Sequence, residues 1–190
     1  MLTTEADILK VEFFRLAFQY YVSARSAALC GLNPVAGTVY HHAVELYLKG
    51  HLSSCTTPKI RKNLGHELSD LWLLFKALFP NNPELSTFDA AITALGPFED
   101  VRYPEQIRKD GLSCLIDWGT PPFVSPDGQI KHVLNVPELD RLISRLYELP
   151  DAPNRLAAHP FGLNEQPLSS ILQDRNPEVA KWYPFSQGVQ

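Results

Sequence analysis

The residues best suited to chemistry lie in the segment His41-His42-Ala43-Val44-Glu45-Leu46-Tyr47-Leu48-Lys49. His41, Glu45 and Lys49 are spaced four residues apart, so a helix places them on one face. An imidazole that titrates near neutrality, a carboxylate that orients it and a lysine for phosphate would form a polar strip in a cleft. The same spacing is also typical of ordinary helix-stabilising pairs. His42 is predicted to point nearer the core than His41.

A second candidate group surrounds His66, in the string Gly65-His66-Glu67-Leu68 that opens a later helix. The preceding loop carries the densest basic cluster of the chain, Lys59, Arg61 and Lys62. These cations indicate either a solvated loop or an anion-binding patch near a helix start. Arg61 and His66 also have the spacing of an arginine–histidine pair. About one such pair is expected by chance in a chain with this many arginines and histidines, so His66 is better explained as part of the helix-opening string Gly65-His66-Glu67-Leu68.

Arg102 and Tyr103 form the third group, held by the helix-stopping Pro104. A guanidinium in a fixed direction can bind the carboxylate of Glu99 or Asp100, or a phosphate.

Several site types are excluded by the sequence. It has no glycine-rich phosphate loop, no dinucleotide fingerprint, no nucleophile elbow and no His-Glu-x-x-His zinc motif. The cysteines are widely spaced and indicate neither a disulfide framework nor a cysteine zinc site. His41 or His42 with Glu45 supplies only two metal ligands, so we expect no metal site and no cofactor.

Composition limits the class of protein. The chain has 190 residues and a net charge of −4, from 17 basic and 21 acidic residues. Binding of nucleic acid through bulk positive charge is therefore excluded, and any contact with RNA or a nucleotide must be local. No apolar stretch reaches the length of a membrane span, and the N-terminus lacks a signal pattern. We expect a cytoplasmic protein without membrane contact.

Apolar periodicity predicts an all-α fold, an up-and-down bundle of four to five helices. The helices are expected near residues 5–30, 34–53, 66–79, 82–95 and 137–149. On the second helix the apolar stripe is predicted to be Val35, Val39, His42, Leu46 and Gly50. The predicted core comprises Phe14, Phe18, Val39, Leu46, Leu71, Trp72, Phe75, Phe88 and Ile92.

Two segments depart from the bundle. Residues 105–136 are rich in branched residues around the turn signal Ser125-Pro126-Asp127-Gly128, which predicts a small β-hairpin or folded loop inserted between helices. Residues 150–190 are Pro-rich and predict a C-terminal arm with short helices near 167–173 and 176–182. The predicted domains are therefore a bundle over 1–149, with the 105–136 insertion, and an arm over 150–190.

Taken in order, these strings resemble the HEPN superfamily of small helical bundles. The resemblance is carried by Tyr20-Tyr21-Val22-Ser23-Ala24-Arg25, by the His41–Lys49 helix, by Gly65-His66-Glu67-Leu68 and by Arg102-Tyr103-Pro104. It covers residues 10–108, with 137–149 as the last helix. It implies a bundle that pairs as a homodimer. Some members are partners of nucleotidyltransferases in toxin–antitoxin or defence pairs, and others are metal-independent ribonucleases.

The nuclease branch of that family uses an arginine followed shortly by a histidine. After Arg102 the corresponding positions hold Ile107, Arg108 and Lys109, so the family pattern is absent there. We therefore expect a non-catalytic module that binds a nucleotide, RNA or a protein partner. Its expected ligand-binding residues are His41, Glu45, Lys49, Arg102 and Tyr103. The alternatives are a metal-independent endoribonuclease, with His66, Arg61 and His41 as catalytic candidates, and a plain helical scaffold.

Assembly is predicted from aromatic content. Tyr20, Tyr21, Tyr40 and Tyr47 exceed what one small bundle needs, which indicates an exposed patch. A two-fold homodimer would cover that patch.

Overall fold

The fold is described from a computed structural model over residues 4–63, 65–101, 103, 105, 114–119, 132–150, 152–153 and 168–179. The described helices are α1 (Glu5–Leu29), α2 (Asn33–Leu52), α3 (Pro58–Asn63), α4 (Leu68–Leu78), α5 (Asp89–Leu95), α6 (Phe98–Val101), α7 (Val136–Glu148) and α8 (Leu168–Gln173). A 3₁₀ helix, Pro83–Phe88, leads into α5, and two strands are β1 (Cys114–Asp117) and β2 (His132–Asn135). The predicted helical bundle with a small β insertion is confirmed.

The centre of the bundle is the pair formed by α1 and α2. Thr4 caps α1 reciprocally with Asp7, as a capping box. Gly31 has φ 72°, a conformation that reverses the chain at low cost, so α2 can return along α1. Gly50 lies against the ring of Phe14, where an added Cβ would approach the ring to 2.8 Å. Small residues at this contact let the two backbones approach closely.

The buried face of α2 differs from the predicted stripe. Val35 is exposed, whereas Ala36, Tyr40, Ala43 and Tyr47 are fully buried. Val39 and Leu46 are partly buried and pack at the edge of the core. Because α2 is covered on almost all sides, its apolar residues do not form a single stripe that reveals which side faces the centre. The remaining predicted core residues are buried as expected.

The prediction that His42 points nearer the core than His41 was wrong for the same reason. The side chain of His41 is 1% exposed and that of His42 is 24% exposed, so His41 is the one that faces the core.

The tyrosines expected to form an exposed patch are mostly buried. Tyr21, Tyr40 and Tyr47 have no exposed surface. The hydroxyl of Tyr21 donates to Asp140 at 2.7 Å, and the hydroxyls of Tyr47 and Tyr147 are hydrogen-bonded at 2.9 Å. These aromatic rings fill the space between the central pair and α7 rather than a subunit interface. The homodimer stays a prediction, without this patch to support it.

The inserted strands pair in parallel, with Cys114 opposite His132 and Asp117 opposite Asn135. A β-hairpin pairs its strands antiparallel, so the hairpin prediction was wrong about the pairing. Parallel strands need a long connection, and residues 118–131 supply it. The turn signal at 125–128 lies outside the described residues. Asn135 at the end of β2 caps α7 by accepting from the backbone N–H of Glu138 at 3.0 Å.

The described part of the C-terminal segment packs on α1. Helix α8 matches the predicted 167–173 helix, and Leu172 and Val179 are buried. Of the second predicted helix, 176–182, the structure describes residues 176–179, and residues 180–182 lie outside the described residues.

Within the described residues, no helix combines the length and apolarity needed to cross a bilayer.

Candidate functional site

A cluster of polar side chains lies on one side of α2, where α6 and the start of α4 approach it. Helix α2 contributes His42, Glu45 and Lys49, and the turn before α4 contributes His66. We call these four residues the α2 cluster. Glu99 of α6 adds a carboxylate beside it, 4.0 Å from Nε2 of His42.

Glu45 is the centre of the cluster. Its side chain is 5% exposed and accepts from Nδ1 of His66 at 3.0 Å, Nδ1 of His42 at 3.4 Å and Nζ of Lys49 at 2.5 Å. Burial alone would raise the pKa of Glu45, but the hydrogen bonds from His42, His66 and Lys49 outweigh it and lower the pKa to about 2. The carboxylate is therefore ionised throughout the physiological range, although it lies inside the bundle.

The two imidazoles of the cluster face solvent to different degrees. The side chain of His66 is 54% exposed and that of His42 is 24% exposed. Their ring centroids are 6.1 Å apart, and the ring of Tyr20 lies edge-on against His42 at 5.8 Å. The cluster thus opens to solvent at His66 and closes towards Tyr20.

The backbone that carries His66 is held on two sides. Lys49 donates to the carbonyl of Gly65 at 2.8 Å, and Nε2 of His41 lies 3.1 Å from the carbonyl of His66. The other ring nitrogen of His41 lies 3.0 Å from the carbonyl of Leu95. His41 therefore joins α2, α5 and the His66 turn, and its buried ring does not reach solvent. His41 is therefore a positioning residue, which holds the His66 turn and α5 against α2.

Helix α6 reaches the cluster because α2 carries a glycine beneath it. A Cβ on Gly37 would lie 2.0 Å from the ring of Phe98, so only glycine permits this contact. The hydroxyl of Thr38 donates to the carbonyl of Phe98 at 3.1 Å. Together these contacts place Glu99 beside the two α2 histidines.

The other candidate residues lie elsewhere. Arg61 is buried, and its guanidinium donates to the carbonyl of Ser53 at 3.2 Å and to both oxygens of Thr56. It closes the C-terminal end of α2. Arg102 lies outside the described residues. Tyr103, just beyond α6, is 51% exposed.

Sequence spacing anticipated part of this site. Glu45 and Lys49 were predicted from the helical repeat, and His66 from its position at a helix start. Spacing along one helix could not show that His42, rather than His41, joins Glu45. Nor could it show that Glu99 approaches from another helix, since only the packing of α6 brings it there.

Comparisons of the chain with family models, with curated proteins and with solved structures found no match in any of the three. Its function has to be inferred from the chemistry of the α2 cluster.

The ionised Glu45 predicts an acid-sensitive contribution to stability. Its folded-state pKa of about 2 lies below the ordinary value of 4.5, so the contribution is present above pH 4.5 and is lost as pH falls towards 2. Glu45→Gln should be less stable than wild type at pH 7, and the difference should shrink between pH 5 and about pH 3. Thermal unfolding at each pH measures this, with the exposed Glu12→Gln as control. A constant difference across the range would contradict the prediction.

Proposed function

We propose that this chain is a non-catalytic helical module that binds a nucleotide or RNA at the open edge of the α2 cluster. The observation that carries the proposal is the buried, ionised Glu45, which holds His42, Lys49 and the solvent-exposed His66 in fixed positions.

A structural role explains this arrangement poorly. Removing a carboxylate and a lysine from water costs free energy, and well-packed apolar residues of similar size usually stabilise a bundle at least as well. The Lys49 side chain is only 13% exposed, yet it binds Glu45 and the carbonyl of Gly65. Such orientation of polar groups is what a ligand site needs, because donors already in place lose little entropy on binding.

The chemical class of the ligand follows from the donors. Imidazole and ammonium groups donate to phosphate oxygens, which a nucleotide or an RNA strand supplies. The net charge of −4 excludes binding through a broad basic surface. A local site of this size suits a nucleotide or a few residues of single-stranded RNA.

One observation favours the metal-independent endoribonuclease as a second candidate. Cleavage without a metal needs a general base and a general acid, and the His42 and His66 rings lie 6.1 Å apart. The Arg61–His66 pair is less suited, because the guanidinium of Arg61 is buried against Ser53 and Thr56. The enzyme would therefore use the two histidines with Lys49.

Binding can be measured by fluorescence anisotropy with fluorescein-labelled single-stranded RNA and, separately, a fluorescent ADP. We expect saturable binding that weakens about tenfold in His66→Ala and Lys49→Ala, since a hydrogen bond to a charged group is worth about 1.5 kcal/mol or more. Lys59→Ala removes an exposed lysine outside the α2 cluster and should change the affinity less than about twofold.

The same RNA, incubated with wild type and with EDTA and run on a gel, separates the two candidates. Intact RNA together with specific binding supports the module. Cleavage by wild type that is lost in a folded His42→Ala or His66→Ala variant would replace it with the ribonuclease. Equal binding by wild type, His66→Ala and Lys49→Ala would show that the α2 cluster is not the binding site.

A further inference from the structure

We propose that His42, Glu45 and His66 form a binding site for a divalent transition-metal ion such as Zn²⁺. Each of the three residues offers one ligand atom, and these atoms all lie within 4.8 Å of one another. Two of them come from adjacent turns of α2, and the third comes from the turn before α4. The fold alone brings the third ligand to the other two.

The two distances between Glu45 and the histidines are close to those around a shared ion. Nδ1 of His66 and Nδ1 of His42 lie 3.0 Å and 3.4 Å from Oε2 of Glu45. Ligands bound tetrahedrally to zinc at about 2.0–2.2 Å are separated from each other by about 3.3–3.6 Å. The His–Glu separations therefore need little adjustment when an ion replaces the protons between these atoms.

The donor set selects the class of metal. Two imidazole nitrogens with one carboxylate oxygen suit zinc, iron, cobalt or nickel, whereas magnesium and calcium prefer oxygen ligands. Imidazole binds a metal in its neutral form, and moving the ring proton from Nδ1 to Nε2 frees Nδ1 without a net proton change.

The surroundings orient the ligands as the outer groups of metal sites do. Lys49 donates to Oε1 of Glu45 at 2.5 Å, and Oε2 lies within 3.4 Å of Nδ1 of both histidines. The contacts of Lys49 with Gly65 and of His41 with His66 hold the third ligand's backbone. The exposed side of His66 leaves a path for the ion and for a further ligand.

A metal would also change the charge at the site. With neutral imidazoles, the carboxylates of Glu45 and Glu99 outnumber the single lysine, Lys49, and the local charge is about −1. A divalent ion reverses it to about +1, which favours a phosphate oxygen as the next ligand. This consequence rests on the proposed function, whereas the metal site itself does not.

The test is calorimetric titration of the purified, EDTA-stripped 190-residue chain with ZnCl₂ in the absence of nucleotide, and a parallel titration with MgCl₂. We expect one zinc ion per chain and no comparable magnesium binding. The affinity should fall at least about tenfold in His42→Ala, His66→Ala and Glu45→Gln, as is usual even for groups outside the ligand set. His132→Ala removes an imidazole outside the cluster and should bind as wild type does.

Two further controls keep the result decisive. A Cys30→Ser/Cys55→Ser variant, which removes two exposed thiols, should retain binding. If Glu45→Gln does not fold, the zinc affinity of His66→Ala decides, because this variant changes a half-exposed residue. No binding by wild type, equal binding by wild type and folded His66→Ala, or loss only in the cysteine variant would overturn the proposal. Anisotropy repeated in EDTA and in zinc reports separately on the proposed function, so either inference can fail alone.

Discussion

Replacing Arg25 by methionine should lower the free energy of unfolding by about 3–5 kcal/mol, because it leaves Asp140 as an uncompensated buried charge. Both side chains are essentially inaccessible, at 0% and 1% exposure. The guanidinium donates to Asp140, to the carbonyl of Ile171 at 2.9 Å and to the carbonyl of Asp174. One side chain thus links α1 to α7 and to the end of α8.

Tyr21 and Asn176 extend the Arg25–Asp140 pair into a hydrogen-bond network. The expected loss of stability is therefore larger than for a simple ion pair. Tyr21 donates to the second oxygen of Asp140, and Asn176 donates to the hydroxyl of Tyr21 at 2.8 Å. Removing Arg25 therefore leaves the buried carboxylate without its charged donor, and it leaves the carbonyls of Ile171 and Asp174 without the guanidinium.

Urea unfolding of wild type and Arg25→Met measures the effect. Arg15→Met, at an arginine whose side chain is 34% exposed and paired with Glu12, is the matched control and should cost less than about 1 kcal/mol. The double variant Arg25→Met/Asp140→Leu should recover part of the loss, since it removes the unpaired charge as well. A cost for Arg25→Met no greater than that of the control would show that the network contributes nothing.

The Arg25–Asp140 network could not be predicted from the sequence. Helix positions followed from apolar spacing and from end signals such as Thr4 and Gly31, since both act within a few residues. Arg25 and Asp140 are far apart in the chain and in separate predicted helices. Nothing local distinguishes the buried Arg25 from the partly exposed Arg15 on the same helix.

In the candidate site, too, contacts along one helix could be predicted from the sequence, whereas contacts between helices could not. The Glu45–Lys49 pair is a local contact along one helix and could be predicted from spacing. The choice between His41 and His42 depends on which side of α2 is covered, and a helix buried almost all round gives no such signal. The approach of Glu99 depends on Gly37, whose missing side chain admits Phe98. These are tertiary contacts, so periodicity carries no information about them.

Leu172→Ala should destabilise the whole domain by about 2–5 kcal/mol, although it lies in the segment that the sequence presented as a separate arm. Leu172 has no exposed surface, and it joins the same core as Phe14 and Tyr21. Since α8 packs on α1 and accepts from Arg25, loss of this contact should be felt throughout the bundle rather than in the arm alone.

The measurement is equilibrium unfolding of Leu172→Ala followed by circular dichroism and by tryptophan fluorescence. The two signals should give one shared transition, shifted to lower urea, because an integral helix unfolds together with the core. Leu73→Ala makes the same change at a leucine that is 62% exposed and should cost within about 0.5 kcal/mol. An early separate transition, with the midpoint of the main one unchanged, would instead mean that α8 is an independent arm. That outcome would also require Arg25 and Asp140 to hold the bundle together without their contacts to the C-terminal segment.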